Sequence, residues 1–133
     1  MPHPRVTRPF HVVLYGASGF VGRQTAAYFA RHAGGLRWAL GGRCAARLQA
    51  VRQDCGVASA DILVADAADA GALDALAAQA QVVLSTAGPF ARHGGELVAA
   101  CVRHGTHYVD ITGETPWVRE MIDRHHDVAA RRG

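Results

Sequence analysis

A doubly wound α/β sheet is the fold the sequence predicts, and three observations carry that expectation. Short apolar runs rich in Val, Ile and Leu recur five times. Helix-length segments separate them, and glycines stand where those helices should stop.

The apolar runs are His11–Tyr15, Leu36–Leu40, Asp61–Val64, Gln81–Thr86 and His107–Thr112. They lack strict alternation, which suits strands buried on both faces of a parallel sheet. Phe20, Val21, Thr25, Tyr28 and Phe29 mark the first helix, and Leu48 and Val51 the second. Leu73, Leu76 and Ala77 mark the third, and Leu97, Val98 and Cys101 the fourth. Gly34-Gly35, Gly56 and Gly105 offer the positive φ of a helix C-cap. The fifth helix is expected to take Thr115 as N-cap and Pro116 as first residue. It should turn Trp117, Met121, Ile122, Val128 and Ala129 toward a core.

Right-handed crossovers then predict a Rossmann-type parallel sheet of strand order 3-2-1-4-5. Residues 1–9, "MPHPRVTRP", form a Pro-broken N-terminal arm, and residues 10–133 form one dinucleotide-binding domain. A nucleotide-binding sheet of this type has a sixth strand, so the expectation is a fragment, the N-terminal part of a longer enzyme.

Composition narrows the function. The chain has 133 residues, half of them hydrophobic, and a net charge of +3. It has no apolar run approaching the roughly 20 residues of a membrane span, and no signal peptide is apparent. All fourteen cationic residues are arginine, which excludes a Schiff-base lysine, a phosphate-loop lysine and a Tyr-Lys pair within the chain. A short-chain dehydrogenase or epimerase is excluded with them. The arginines are scattered rather than striped among aromatics, which argues against nucleic acid as a partner. Three unpatterned cysteines (Cys44, Cys55 and Cys101) suit a reduced, cytoplasmic setting. The histidines do not assemble with cysteines or carboxylates at metal-ligand spacing, so no metal site is expected.

"GASGFVG" places Gly16, Gly19 and Gly22 between the first strand and the first helix. The first glycine allows the tight turn, the second lets a pyrophosphate approach the helix start, and the third permits close helix–strand packing. Free N–H groups and the positive helix end attract the anion, and Ser18 can add a hydroxyl.

An NAD-binding acid would stand about 20 residues beyond such a loop. Here Gly41, Gly42 and Arg43 stand there, and no acidic residue lies between Gly22 and Asp54. The glycines are expected to leave room for a bulky group, and the Arg43 guanidinium to take the 2′-phosphate of NADP. Arg47 can add a second contact, although an ordinary exposed helix position is its simpler reading.

Across the crevice the fourth strand ends in "STAGPF". Ala87, Gly88 and Pro89 are expected to line the ribose–nicotinamide half of the cofactor. Asp66, after the third strand, borders the adenine or caps the third helix. Tyr108, Asp110, Thr112 and Glu114 can approach the nicotinamide or substrate from the end of the fifth strand, with the first three on one face. A purely structural hydrogen bond is the competing role for Asp110.

"YGASGFVG", "GGR", "VVLSTAGPF" and "GTHYVDITGE" together resemble the N-terminal NADP-binding domain of saccharopine dehydrogenase-like oxidoreductases. Within that family the resemblance is strongest to the bacterial trans-acting enoyl reductases, and it covers nearly all of residues 10–133. It implies that Gly16, Ser18, Gly19, Phe20 and Gly22 hold the pyrophosphate, Arg43 the 2′-phosphate, and Ala87, Gly88 and Pro89 the nicotinamide-proximal ribose. It further implies hydride transfer to or from a C=C or C=N bond of a small-molecule substrate. A further C-terminal domain would supply the substrate contacts and a homodimer interface, leaving this stretch inactive by itself. The residues name no catalytic group, so a non-catalytic NADP-sensing module is the alternative.

Overall fold

The computed structural model describes residues 7–57 and 60–133, so most of the N-terminal arm, residues 1–6, lies outside the described residues. Five strands form one sheet: β1 (Phe10–Tyr15), β2 (Trp38–Gly42), β3 (Asp61–Val64), β4 (Ala80–Ser85) and β5 (His107–Asp110). Six helices connect or follow them: α1 (Phe20–His32), α2 (Ala45–Asp54), α3 (Ala70–Ala78), α4 (Phe90–His93), α5 (Gly95–His104) and α6 (Thr115–Arg132). All pairings are parallel in the order β3-β2-β1-β4-β5, as expected.

The strands show why the sequence folds this way. On β1, Val13 and Tyr15 face one layer with Leu73, Leu76, Leu97 and Cys101 from α3 and α5. Leu14 faces the other with Ala26, Leu48 and Val51 from α1 and α2. Each central strand is therefore apolar at successive positions, because both of its faces are covered. The chain winds away from β1 in both directions, which opens a crevice between the carboxyl ends of β1 and β4.

The described end of the arm is pinned rather than loose. The Arg8 guanidinium donates to the carbonyls of Ala77, Ala80 and His104 and to the Thr106 hydroxyl. One side chain thus joins the ends of α3 and α5 to the starts of β4 and β5.

Several expectations need correction. Strand β2 starts at Trp38 and extends through both glycines, instead of spanning Leu36–Leu40. The expected fourth helix is two, because α4 and α5 meet at Gly94. A Cβ there would lie 2.7 Å from Cζ2 of Trp117, whose ring packs 5.6 Å from that of Phe90. The face that α1 buries is Gly22 and Ala26, with Phe29 half-buried, whereas Phe20 is 77% and Tyr28 63% exposed. Small residues win this face because the helix lies close over the sheet.

Helix α6 also departs from its expected form. Thr115 is its first residue, Glu114 occupies the cap position, and no side chain caps the helix. Of the expected stripe only Trp117 is buried; Met121 is half-buried, and Ile122, Val128 and Ala129 are exposed. Gly34, Gly56 and Gly105 do take positive φ at the ends of α1, α2 and α5.

Candidate cofactor site

Gly16 leaves β1 with φ +84°, and a Cβ there would stand 2.9 Å from the Ala87 nitrogen. The turn after β1 and the loop after β4 are thus in direct contact. Thr86 reinforces this, because its amide and hydroxyl both donate to the Tyr15 carbonyl, at 2.9 and 3.3 Å. The amides of Gly16 and Ala17 donate to the Gly41 carbonyl, which ties the same turn to β2.

The next two glycines differ in kind. A Cβ on Gly22 would fall 1.9 Å from the Gly16 carbonyl oxygen, so no other residue fits there. A Cβ on Gly19 would meet only that same oxygen, at 3.5 Å. Gly19 is exposed at the cap of α1 and brings no capping side chain. The amides of Phe20, Val21 and Gly22 have no acceptor among the described residues. They form an open cradle of free donors at a helix N-terminus, the polarity that attracts an anion. The Phe20 side chain itself is exposed.

At the end of β2 the two glycines have a different purpose from the one expected. Gly41 and Gly42 are both buried. A Cβ on Gly41 would sit 3.3 Å from both Leu76 Cδ1 and Val13 Cγ1, and one on Gly42 would sit 3.3 Å from Leu48 Cδ2. They make room for the cores above and below the sheet, not for a ligand. Arg43 is the first exposed residue beyond them, and it makes no ion pair or side-chain hydrogen bond among the described residues.

Tyr15 lies beneath this corner. Its hydroxyl donates to the Ala65 carbonyl over 2.9 Å. Burial pushes the phenol up to about 12, helped by the Asp66 carboxylate and opposed by Arg43. Arg43 follows β2 and Asp66 follows β3, the strand beside it in the sheet. Asp66 is exposed and accepts from the Ala68 amide at 2.9 Å. It does not cap α3, because Asp69 does so by accepting from the Ala72 amide.

On the far side of the crevice Ala87 is half-buried, and Gly88 and Pro89 are exposed, joined by a cis peptide. Tyr108 donates to Asp110 Oδ2 at 2.7 Å, so the two do share a face. Burial, then the hydrogen bond to Asp110, raises the Tyr108 phenol far above its ordinary range, so it remains a neutral donor. Asp110 Oδ1 accepts from the Thr112 amide. Glu114 spends both oxygens on the amides of Phe90 and Ala91. Among the described residues none of the His, Cys, Asp and Glu side chains cluster as a metal site, and the three cysteines are free thiols.

The structure therefore brings Gly16, with Gly19 and Gly22 against its carbonyl, up to Ala87, while Ser18 lies in the same turn, Gly88 and Pro89 in the same loop, and Arg43 and Asp66 beyond β2 and β3. Thr86 and Tyr15 were not foreseen as parts of this arrangement. A threonine or tyrosine at a strand end carries no sequence signal that separates it from ordinary packing.

The saccharopine dehydrogenase NADP binding domain family matches residues 12–133. A Mycobacterium tuberculosis relative, whose name proposes a trans-acting enoyl reductase, is 50% identical over 128 residues, covering 95% of this chain and 30% of that protein. A Mycobacterium leprae trans-acting enoyl reductase is 48% identical over 128 residues, covering 95% and 31%. The chain spans about 30% of the length of these curated relatives. Apo saccharopine dehydrogenase (L-Glu forming) from Saccharomyces cerevisiae superposes with a TM-score of 0.70 at 26% identity, covering 84% of this chain and 24% of that one. With a match that runs from within β1 to the last residue, the chain belongs to the saccharopine dehydrogenase NADP-binding domain family, whose cofactor is NADP.

Proposed function

We propose that the chain is the NADP(H)-binding domain of a longer enoyl reductase-like oxidoreductase, working in the cytoplasm. The reaction would be hydride transfer to or from a C=C or C=N bond of a small-molecule substrate. The observation that carries this reading is the open amide cradle at the start of α1, with the Arg43 guanidinium, unpaired among the described residues, beyond β2. The names of the two mycobacterial relatives support the choice of reaction.

In this reading the amides of residues 20–22 hold the pyrophosphate, with Ser18 beside them. Arg43 takes the 2′-phosphate, Asp66 borders the adenine, and Ala87, Gly88 and Pro89 line the nicotinamide-proximal ribose. The bound dinucleotide supplies the hydride chemistry. This domain positions it and keeps one side of the crevice dry, while the remaining length of the protein contributes the substrate contacts.

A second reading, a non-catalytic NADP sensor, is favoured by one observation. Tyr108, Asp110 and Glu114 are all engaged within the protein, so none of them stands ready as a proton donor. NADPH oxidation by the longer protein with an α,β-unsaturated acyl substrate separates the two, because a sensor would bind without turnover.

Calorimetric titration tests the cofactor assignment. Arg43→Ala should weaken NADP binding by ~1–3 kcal/mol and leave NAD unchanged, as for loss of a charge-assisted pair. Equal losses for both coenzymes would refute the phosphate role.

A further inference from the structure

Hydrogen bonds hold both ends of the loop after β4, and those at its far end run out from β5. At the near end the Ala87 amide donates to the hydroxyl of Ser85, which is 1% exposed, at 3.3 Å. Tyr108 donates to Asp110 Oδ2, and the Thr112 amide donates to Asp110 Oδ1. The Glu114 amide then donates to Thr112 Oγ1 at 3.0 Å. Glu114 carries this chain to the loop: its Oε2 accepts from the Phe90 amide at 2.6 Å and its Oε1 from the Ala91 amide at 3.1 Å. The two held ends bracket Gly88 and Pro89, which are exposed.

We infer that Glu114 is a positioning residue for the nicotinamide half of the cofactor, acting by clamping the loop Ala87–Ala91 from outside the site. The inference rests on the proposed binding mode, in which that loop lines the distal ribose. The clamp uses a charged acceptor because two adjacent amides converge on it, and a carboxylate satisfies both at once. Glutamine cannot: its carbonyl oxygen accepts from one amide while its NH2 group faces the other donor. The opposite end of the loop is held independently, since Ala87 abuts Gly16. Loss of the clamp therefore loosens Gly88–Ala91 and leaves the glycine turn and Arg43 untouched.

The test compares two ligands on the full chain. NADP spans the whole crevice, whereas adenosine 2′,5′-bisphosphate carries the 2′-phosphate but neither the second ribose nor the nicotinamide. Glu114→Gln should weaken NADP about tenfold, equivalent to one charge-assisted hydrogen bond, and leave the bisphosphate unchanged. A parallel loss for both ligands would mark a general structural role and overturn the inference. So would unchanged affinity for both, or a wild type that binds the two equally well. A wild type that binds neither would sink the proposed binding mode itself, a separate outcome. Should Glu114→Gln fail to fold by circular dichroism, Thr112→Val loosens the same clamp through the Glu114 backbone. It should show the same split between ligands, in smaller measure.

Discussion

The Tyr15 hydroxyl lies 2.9 Å from the Ala65 carbonyl oxygen and donates to it, bolting the carboxyl end of β1 to the loop after β3 across the intervening β2. Ala65 is 2% exposed, so water cannot replace the bond without local opening. Tyr15→Phe should cost ~1–2 kcal/mol of stability, the penalty for leaving a buried carbonyl unpaired. Urea unfolding measures it, and an unchanged midpoint would show that the carbonyl finds another partner.

Gly19 and Gly22 should separate binding from folding. Gly22→Ala places a methyl group 1.9 Å from a backbone oxygen, and ~3 kcal/mol or more of destabilisation is expected. Gly19→Ala meets only an ordinary contact and should cost less than ~1 kcal/mol, the penalty of alanine at a cap. In the proposed binding mode its methyl group crowds the pyrophosphate, so NADP binding should fall sharply. Thermal melts set against calorimetric titrations decide, and tight binding by Gly19→Ala would show that the cradle is only a turn.

Arg8 is expected to matter more to stability than its position in a Pro-broken arm suggests. Arg8→Met keeps much of the aliphatic stem but strips a donor from four acceptors. A loss of about 2–3 kcal/mol is expected, as for partly buried bonds to a charged group. A variant as stable as the wild type would place those acceptors within reach of solvent.

Alkaline pH should weaken the fold through Cys101. Burial pushes its thiol from the ordinary 9.0 up to about 12, against the opposing charge of Arg8. The folded chain retains a proton that the unfolded chain releases. This stabilisation is complete below pH 9.0 and is lost as pH rises toward 12. Tyr15 adds the same sign only above its ordinary 10.0. Between these ordinary values the urea midpoint should fall with rising pH in the wild type, and less steeply in Cys101→Ala. Identical slopes would remove Cys101 as the cause.

The sheet was legible because parallel strands buried on both faces leave near-continuous apolar runs, and the glycine turn fixed which strand lies at the centre. Helix faces were less so. The side of α1 that packs is built on Gly22 and Ala26, which add almost nothing to a hydrophobic period, while the conspicuous Phe20 and Tyr28 point outward. Glu114 illustrates a second limit. Its partners lie more than twenty residues earlier, and no local pattern shows that its carboxylate serves α4 rather than α6. Gly41 and Gly42 illustrate a third, since a missing side chain reads the same whether it clears space for a ligand or for a core.

That third case bears on redesign. Retargeting a domain of this kind to the unphosphorylated coenzyme ordinarily means grafting an acid near the end of the second strand. At Gly42 the stem of such an acid would be driven against Leu48, and at Gly41 against Leu76 and Val13. Both routes crowd the interior. The solvent-facing position at 43 is the one open to exchange, so coenzyme preference would have to be re-engineered there, by way of a single codon.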